Sequence, residues 1–161
     1  MKSTIKLVSL CLFILLQGCS KPMPVSQQSA KIVWKSPSFR YADMGFIADD
    51  RKSIKVEIYG VGMALMRLYI GKEKICMNKF QCISKKEFNT RYLSRYYPDT
   101  ILENIFRAKA IYKGENFIKN RNGFTQILQK ENQYAIEYKV FNRQIIFRDT
   151  INEILIKVIK Q

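Results

Sequence analysis

The chain has 161 residues, 47% of them apolar, with ten Phe, nine Tyr and a single Trp, so it is neither disordered nor low in complexity. Lysine and arginine number 28 against 13 acidic residues, a net charge of +15, and there is no histidine. Without histidine there is no Ser/His/Asp or Cys/His arrangement; the glycines form no phosphate-cradling loop and no carboxylates sit at a telling spacing. The expectation is therefore a protein that is not an enzyme, with no catalytic residue, cofactor or metal.

The N-terminus carries the strongest local signal. Lys2 and Lys6 precede an apolar stretch from Leu7 to Leu16, followed by Gln17, Gly18 and Cys19. The stretch is too short to span a bilayer and reads as a leader removed on export. Leu16-Gln17-Gly18-Cys19 resembles the bacterial lipobox, with leucine three before the cysteine and a small residue directly before the cut. That resemblance implies a signal peptide over 1–18, lipidation of Cys19 with palmitate-type acyl chains, and attachment to a membrane through the N-terminal lipid. Ser20 stands where an aspartate would signal inner-membrane retention, which favours the periplasmic face of the outer membrane. Residues 19–36, with Pro22, Pro24 and several Ser and Gln, read as a flexible tether. A single domain is expected over 37–161.

Removing the two leader lysines leaves 26 basic residues against 13 acidic ones, a side-chain excess of +13. Behind a lipobox the available polyanions are phospholipid headgroups, lipopolysaccharide and cell-wall polymers, so nucleic acid is not an expected partner. Cys76 and Cys82 remain after Cys11 is lost with the leader and Cys19 is acylated. In an oxidising compartment, on two short strands around Asn78-Lys79, they are expected to form a disulfide. A metal pair would need further soft ligands that the chain does not have.

Along the domain, Phe39–Ile47 reads as a strand and Asp49-Asp50-Arg51 as a polar turn. Ser53–Tyr59 alternates, with Ile54, Val56 and Ile58 on one face and Lys55, Glu57 and Tyr59 on the other. Gly60-Val61-Gly62 makes a tight turn into a strand over Ala64–Ile70, which ends at Gly71-Lys72. Ser84-Lys85-Lys86-Glu87 is a capping box, so a helix is predicted over Lys85–Tyr96, stopped by Pro98. Asp99 is placed to cap a second short helix containing Ile101, Leu102, Ile105 and Phe106. Strands follow at Ala110–Tyr112, Asn116–Lys119, Phe124–Leu128, Gln133–Phe141, Gln144–Arg148 and Glu153–Ile159, with Asn122-Gly123 as a hairpin signal. The predicted class is mainly β with a helical insertion (α+β): a curved antiparallel sheet or half-open barrel with helices over its concave face.

This order resembles the outer-membrane lipoprotein receptors of the LolB family, in a divergent and shortened form. The likeness rests on Gly60-Val61-Gly62 leading into Leu65-Met66-Arg67-Leu68 and on Pro98 preceding Leu102, Ile105 and Ala108. Tyr134-Ala135-Ile136-Glu137-Tyr138 and the closing segments Phe147-Arg148-Asp149 and Ile154-Leu155-Ile156 complete it. It implies an apolar cavity that receives lipoprotein acyl chains from a LolA-like periplasmic carrier and places them in the membrane. On that reading Val61 is the membrane-insertion tip. The cavity-lining candidates are Ile54, Val56, Ile58, Leu65, Phe106, Phe124, Tyr138 and Phe147. The alternative expectation is a non-transport accessory lipoprotein whose basic surface binds lipopolysaccharide, peptidoglycan or a protein partner.

Overall fold

A computed structural model describes residues 26–78 and 81–161. The leader, the lipobox with Cys19 and residues 19–25 of the expected tether lie outside the described residues, as do Lys79 and Phe80. The protein is mainly β. Among the described residues, eleven strands form one open antiparallel sheet in the order β6-β5-β4-β3-β2-β1-β11-β10-β9-β8-β7, accompanied by two short α-helices. The strands before the helices are β1 (Ser26–Lys35), β2 (Arg40–Asp49), β3 (Ile54–Gly60), β4 (Met63–Ile70), β5 (Lys74–Met77) and β6 (Gln81–Ser84). After them come β7 (Phe117–Asn120), β8 (Gly123–Lys130), β9 (Tyr134–Phe141), β10 (Gln144–Asp149) and β11 (Ile154–Lys160).

The largest correction concerns the tether, because Ser26–Lys35 is the central strand of the sheet. β1 pairs with β2 along its whole length and with β11 from Ala30 to Lys35. Among the described residues it is the one strand whose ladder joins the N-terminal strands to the C-terminal ones. Ala30, Ile32 and Trp34 are fully buried on one face, while Lys31 and Lys35 point to solvent. A half-buried strand needs an apolar residue only at every second position, and the Ser, Gln and Lys between them gave the segment its tether-like composition.

The same alternation carries the core through β3, β4, β9, β10 and β11. Gly45 on β2 has a structural reason: a Cβ there would lie 2.1 Å from the Glu57 carbonyl oxygen. The Asn122-Gly123 hairpin forms one residue earlier than its signal, with Arg121-Asn122 in the turn. Gly123 opens β8, where a Cβ would meet the Val140 carbonyl at 1.8 Å.

Helix α1 (Lys85–Tyr92) begins as the capping box predicts: the Glu87 backbone N–H donates to Ser84 Oγ at 3.1 Å. It stops at Leu93, short of Tyr96, because the chain must turn to carry Tyr97 down to the sheet. The Asn89 side chain donates to the Pro98 carbonyl across that turn. Helix α2 (Ile101–Phe106) is preceded by Thr100, without a side-chain cap, so Asp99 does not cap it. Ala110–Tyr112 is not a strand. Ile111 bonds instead to the buried Gln126 side chain, which accepts from the Ile111 N–H at 2.8 Å and donates to the Ile111 and Glu115 carbonyls, while the Ala110 carbonyl accepts from Asn104 Nδ2.

Candidate functional site

The apolar face of the sheet and the helices on it form the candidate site. Ile54, Val56, Ile58, Tyr138 and Phe147 are fully buried there, with Phe106 and Phe124 nearly so. Aromatic rings run under the helices: Phe124 meets Tyr138 at 5.4 Å, Tyr138 meets Phe147 at 6.2 Å and Phe147 meets Tyr97 at 5.7 Å. On β1 itself, Trp34 packs against Phe106 and Phe39, both at 5.9 Å. Seven of the eight expected cavity residues thus come together, packed against one another as core. Leu65 departs from them. It is the extra residue of a bulge in β4, opposite the Ile58/Tyr59 step of β3, and it is 47% exposed.

Two polar devices hold the helical segment down. Asp149, at the end of β10, is buried yet fully partnered: it accepts from Tyr97 Oη, Asn152 Nδ2 and the backbone N–H groups of Ala135, Ile151 and Asn152. Burial, and then the Asp149 carboxylate, hold the Tyr97 phenol well above its ordinary range, so it stays a donor. The second device is a chain of charges. Lys85 of α1 pairs with Glu103 of α2 at 2.9 Å; Glu103 also holds Arg107, and Arg107 grips Asp49 of β2 through Nε and Nη2 at 3.0 and 3.1 Å. A latch of charge therefore ties both helices to the sheet.

Burial raises the Asp49 carboxyl, but hydrogen bonds from Arg107 and the Arg51 amide together with the Arg107 charge outweigh it and hold the group below its ordinary 3.8. A depressed carboxylate contributes stability above its unfolded value and loses it as pH falls through the folded one. Arg107→Gln is accordingly expected to lose about 1–2 kcal/mol at neutral pH, a figure discounted for the partial exposure of Asp49. In urea unfolding the gap between the two proteins should close as pH falls below 3.8. A gap that persists unchanged in acid would show that Arg107 acts through packing instead.

Cavities flank this clamp. One, of about 450 Å³ and polar, lies beside the latch at Asp49, Arg51, Arg107 and Lys160, with Phe106 at its wall. Another, of about 320 Å³, lies between α1 and the outer hairpin and is lined mostly by apolar residues, Ile75, Met77, Ile83, Phe88 and Tyr92 among them, together with Gln81 and Arg91. Cys76 and Cys82 face each other across that hairpin and are joined in the expected disulfide. Periodicity does not reveal these residues as a cavity, because it marks them only as apolar.

The turn between β3 and β4 is built from Val61 and Gly62, at φ 51° and 78°. Left-handed geometry at both central positions suits the twist of a two-residue hairpin, but valine is among the residues least suited to it. Val61 is fully exposed at the tip, with Met63 and Leu65 exposed behind it. Relieving the backbone should outweigh any lost contact, so Val61→Gly is expected to raise stability by about 1 kcal/mol in denaturant unfolding. A loss of stability would mean that the side chain packs against the domain.

No known protein family matches the chain, and no curated protein matches it either.

Proposed function

We propose that the protein is a lipid-anchored lipoprotein of the outer membrane, on its periplasmic face, that binds acyl chains under its helices and passes them to the bilayer. The observation that carries this reading is the disproportion between the apolar face and what covers it. Eleven strands spaced at about 4.8 Å would make a flat sheet nearly 50 Å wide. Helices of eight and six residues are only about 12 and 9 Å long. Burial of inward residues from β4 to β8 therefore calls for a sheet curled around the helices and open along its β6 and β7 edges, the half-barrel that the LolB-like pattern implies.

In that shape the apolar cavity beside α1 lies at one open edge and offers an entry for an acyl chain. Each methylene buried there contributes about 0.8 kcal/mol, so a long chain is held without covalent chemistry. Admitting more of it requires α1 to lift, and the Lys85–Glu103–Arg107–Asp49 latch sets the resistance. The strained, exposed Val61 turn is suited to entering the bilayer at the moment of transfer. A LolA-like carrier is the proposed donor of the lipoprotein cargo.

Mass spectrometry of the membrane-extracted protein tests the reading. Co-purifying lipid or lipoprotein acyl chains are expected, and Met77→Trp, which fills the cavity, should lose them. Absence of bound lipid from both proteins would remove the carrier function.

A further inference from the structure

We infer that the outer face of the central strands, β2, β1, β11, β10 and β9, is a docking surface for the anionic phospholipid bilayer that holds the protein's own anchor. The register places Arg40, Lys35, Leu155, Arg148 and Glu137 in one cross-strand row and Ala42, Val33, Lys157, Ile146 and Lys139 in the next. Lys31 follows one row further on, opposite Met44 and Ile159. Six cations thus share this face with a single acid, Glu137, which is already paired with Lys139 at 2.6 Å.

Lys31, Lys35, Arg40, Arg148 and Lys157 form no ion pair among the described residues. Residues 1–25, 79 and 80 contain no Asp or Glu that could supply one. Lys35 and Arg40 stand directly opposite each other, an arrangement that destabilises a sheet unless an anion lies over it. Half-buried Val33, Leu155 and Ile146 lie between the cations. Phosphate headgroups over an apolar layer complement that mixture of charge and hydrocarbon.

The chain's path favours a bilayer over any other polyanion. Ser26 opens the central strand, and the seven steps from Cys19 to Ser26 span at most about 25 Å. An anchor at Cys19 therefore holds the middle of the sheet within that distance of the headgroups. Ser26 lies opposite Asp49, which lies opposite Ile54, whereas Val61 follows the far end of β3 about 20 Å away. With the strands flat on the bilayer, the anchored end and the Val61 turn both reach it. The docking inference rests on the proposed anchoring at Cys19.

The test uses the full chain purified from membranes, with its intact mass reporting acylation. It is reconstituted in vesicles of phosphatidylcholine alone or with phosphatidylglycerol at roughly two to one, and lysine acetylation is followed by mass spectrometry. Lys31, Lys35 and Lys157 should react several-fold more slowly on the anionic vesicles, with high salt restoring their rates, while Lys72, Lys113 and Lys130 stay unchanged. The variant K35Q/R40Q/R148Q/K157Q should lose the protection of Lys31 while its unfolding midpoint is kept or raised. Equal labelling on both vesicle types overturns the inference, as does protection by a DNA oligonucleotide but not by phosphatidylglycerol. An intact mass without acyl chains would refute the anchor alone. The chain as isolated then tests the face by flotation, with roughly fivefold weaker binding expected for each cation removed and unchanged binding counting against it.

Discussion

Asp149→Ala is expected to lower the unfolding free energy by about 3–5 kcal/mol, with a matching loss in urea or thermal unfolding. The carboxylate is buried and receives five hydrogen bonds, from Tyr97, Asn152 Nδ2 and three backbone amides. Removing it leaves all five donors without their acceptor, the Tyr97 hydroxyl in a buried position and the other four in part-buried ones, and the cost of these unmet donors outweighs any relief from no longer burying a charge. The bond to Tyr97 is also what pins the segment after α1 to the sheet. Tyr97→Phe, which deletes one donor and keeps the ring on Phe147, should cost only about 1–2 kcal/mol. Equal effects from the two substitutions would mean that the backbone bonds to Asp149 contribute nothing.

Trp34→Ala should be comparably damaging, at about 3–5 kcal/mol, because a fully buried indole between Phe39 and Phe106 leaves a large void. Trp34→Phe should be far milder. The Trp34 Nε1 has no hydrogen-bond partner among the described residues, so phenylalanine gives up packing but no bond. The pair of variants tests the placement of β1 directly. A residue in a flexible tether would tolerate either change, whereas the central strand that joins the two halves of the sheet cannot tolerate the first. Loss of Trp34 should also weaken the covering of the inner face, since Phe106 belongs to α2.

Most of the strands were legible because alternation is a local property. Ile54, Val56 and Ile58, and later Ile154, Ile156 and Val158, announce a half-buried strand without reference to anything distant. The same holds for the Ser84 cap and for the Cys76–Cys82 pair, whose partners lie three and six residues apart. β1 is hidden in the sequence because its outward side is Ser, Gln and Lys, and only its two neighbours show that the sparse apolar residues between them are core. Helix α1 looked longer than it is because Tyr96 fits a helical stripe as well as it fits the turn that follows. Asp149 reads in sequence as an ordinary turn residue; its importance comes from Tyr97, 52 residues away.

The candidate site divides along the same line. Sequence alone determined that Val61 sits on a glycine-flanked turn, that the inward faces are apolar and that the chain is strongly basic, since these need only neighbouring residues or composition. Tertiary structure decided that Ser26–Lys35 is the middle of the sheet, that an ionic latch and a buried carboxylate fasten the helices, and that unpaired cations gather on one outer face. The physical reason is that strand pairing and charge clustering join residues far apart in the chain. A pairing register is set by every strand at once, and no local period records it.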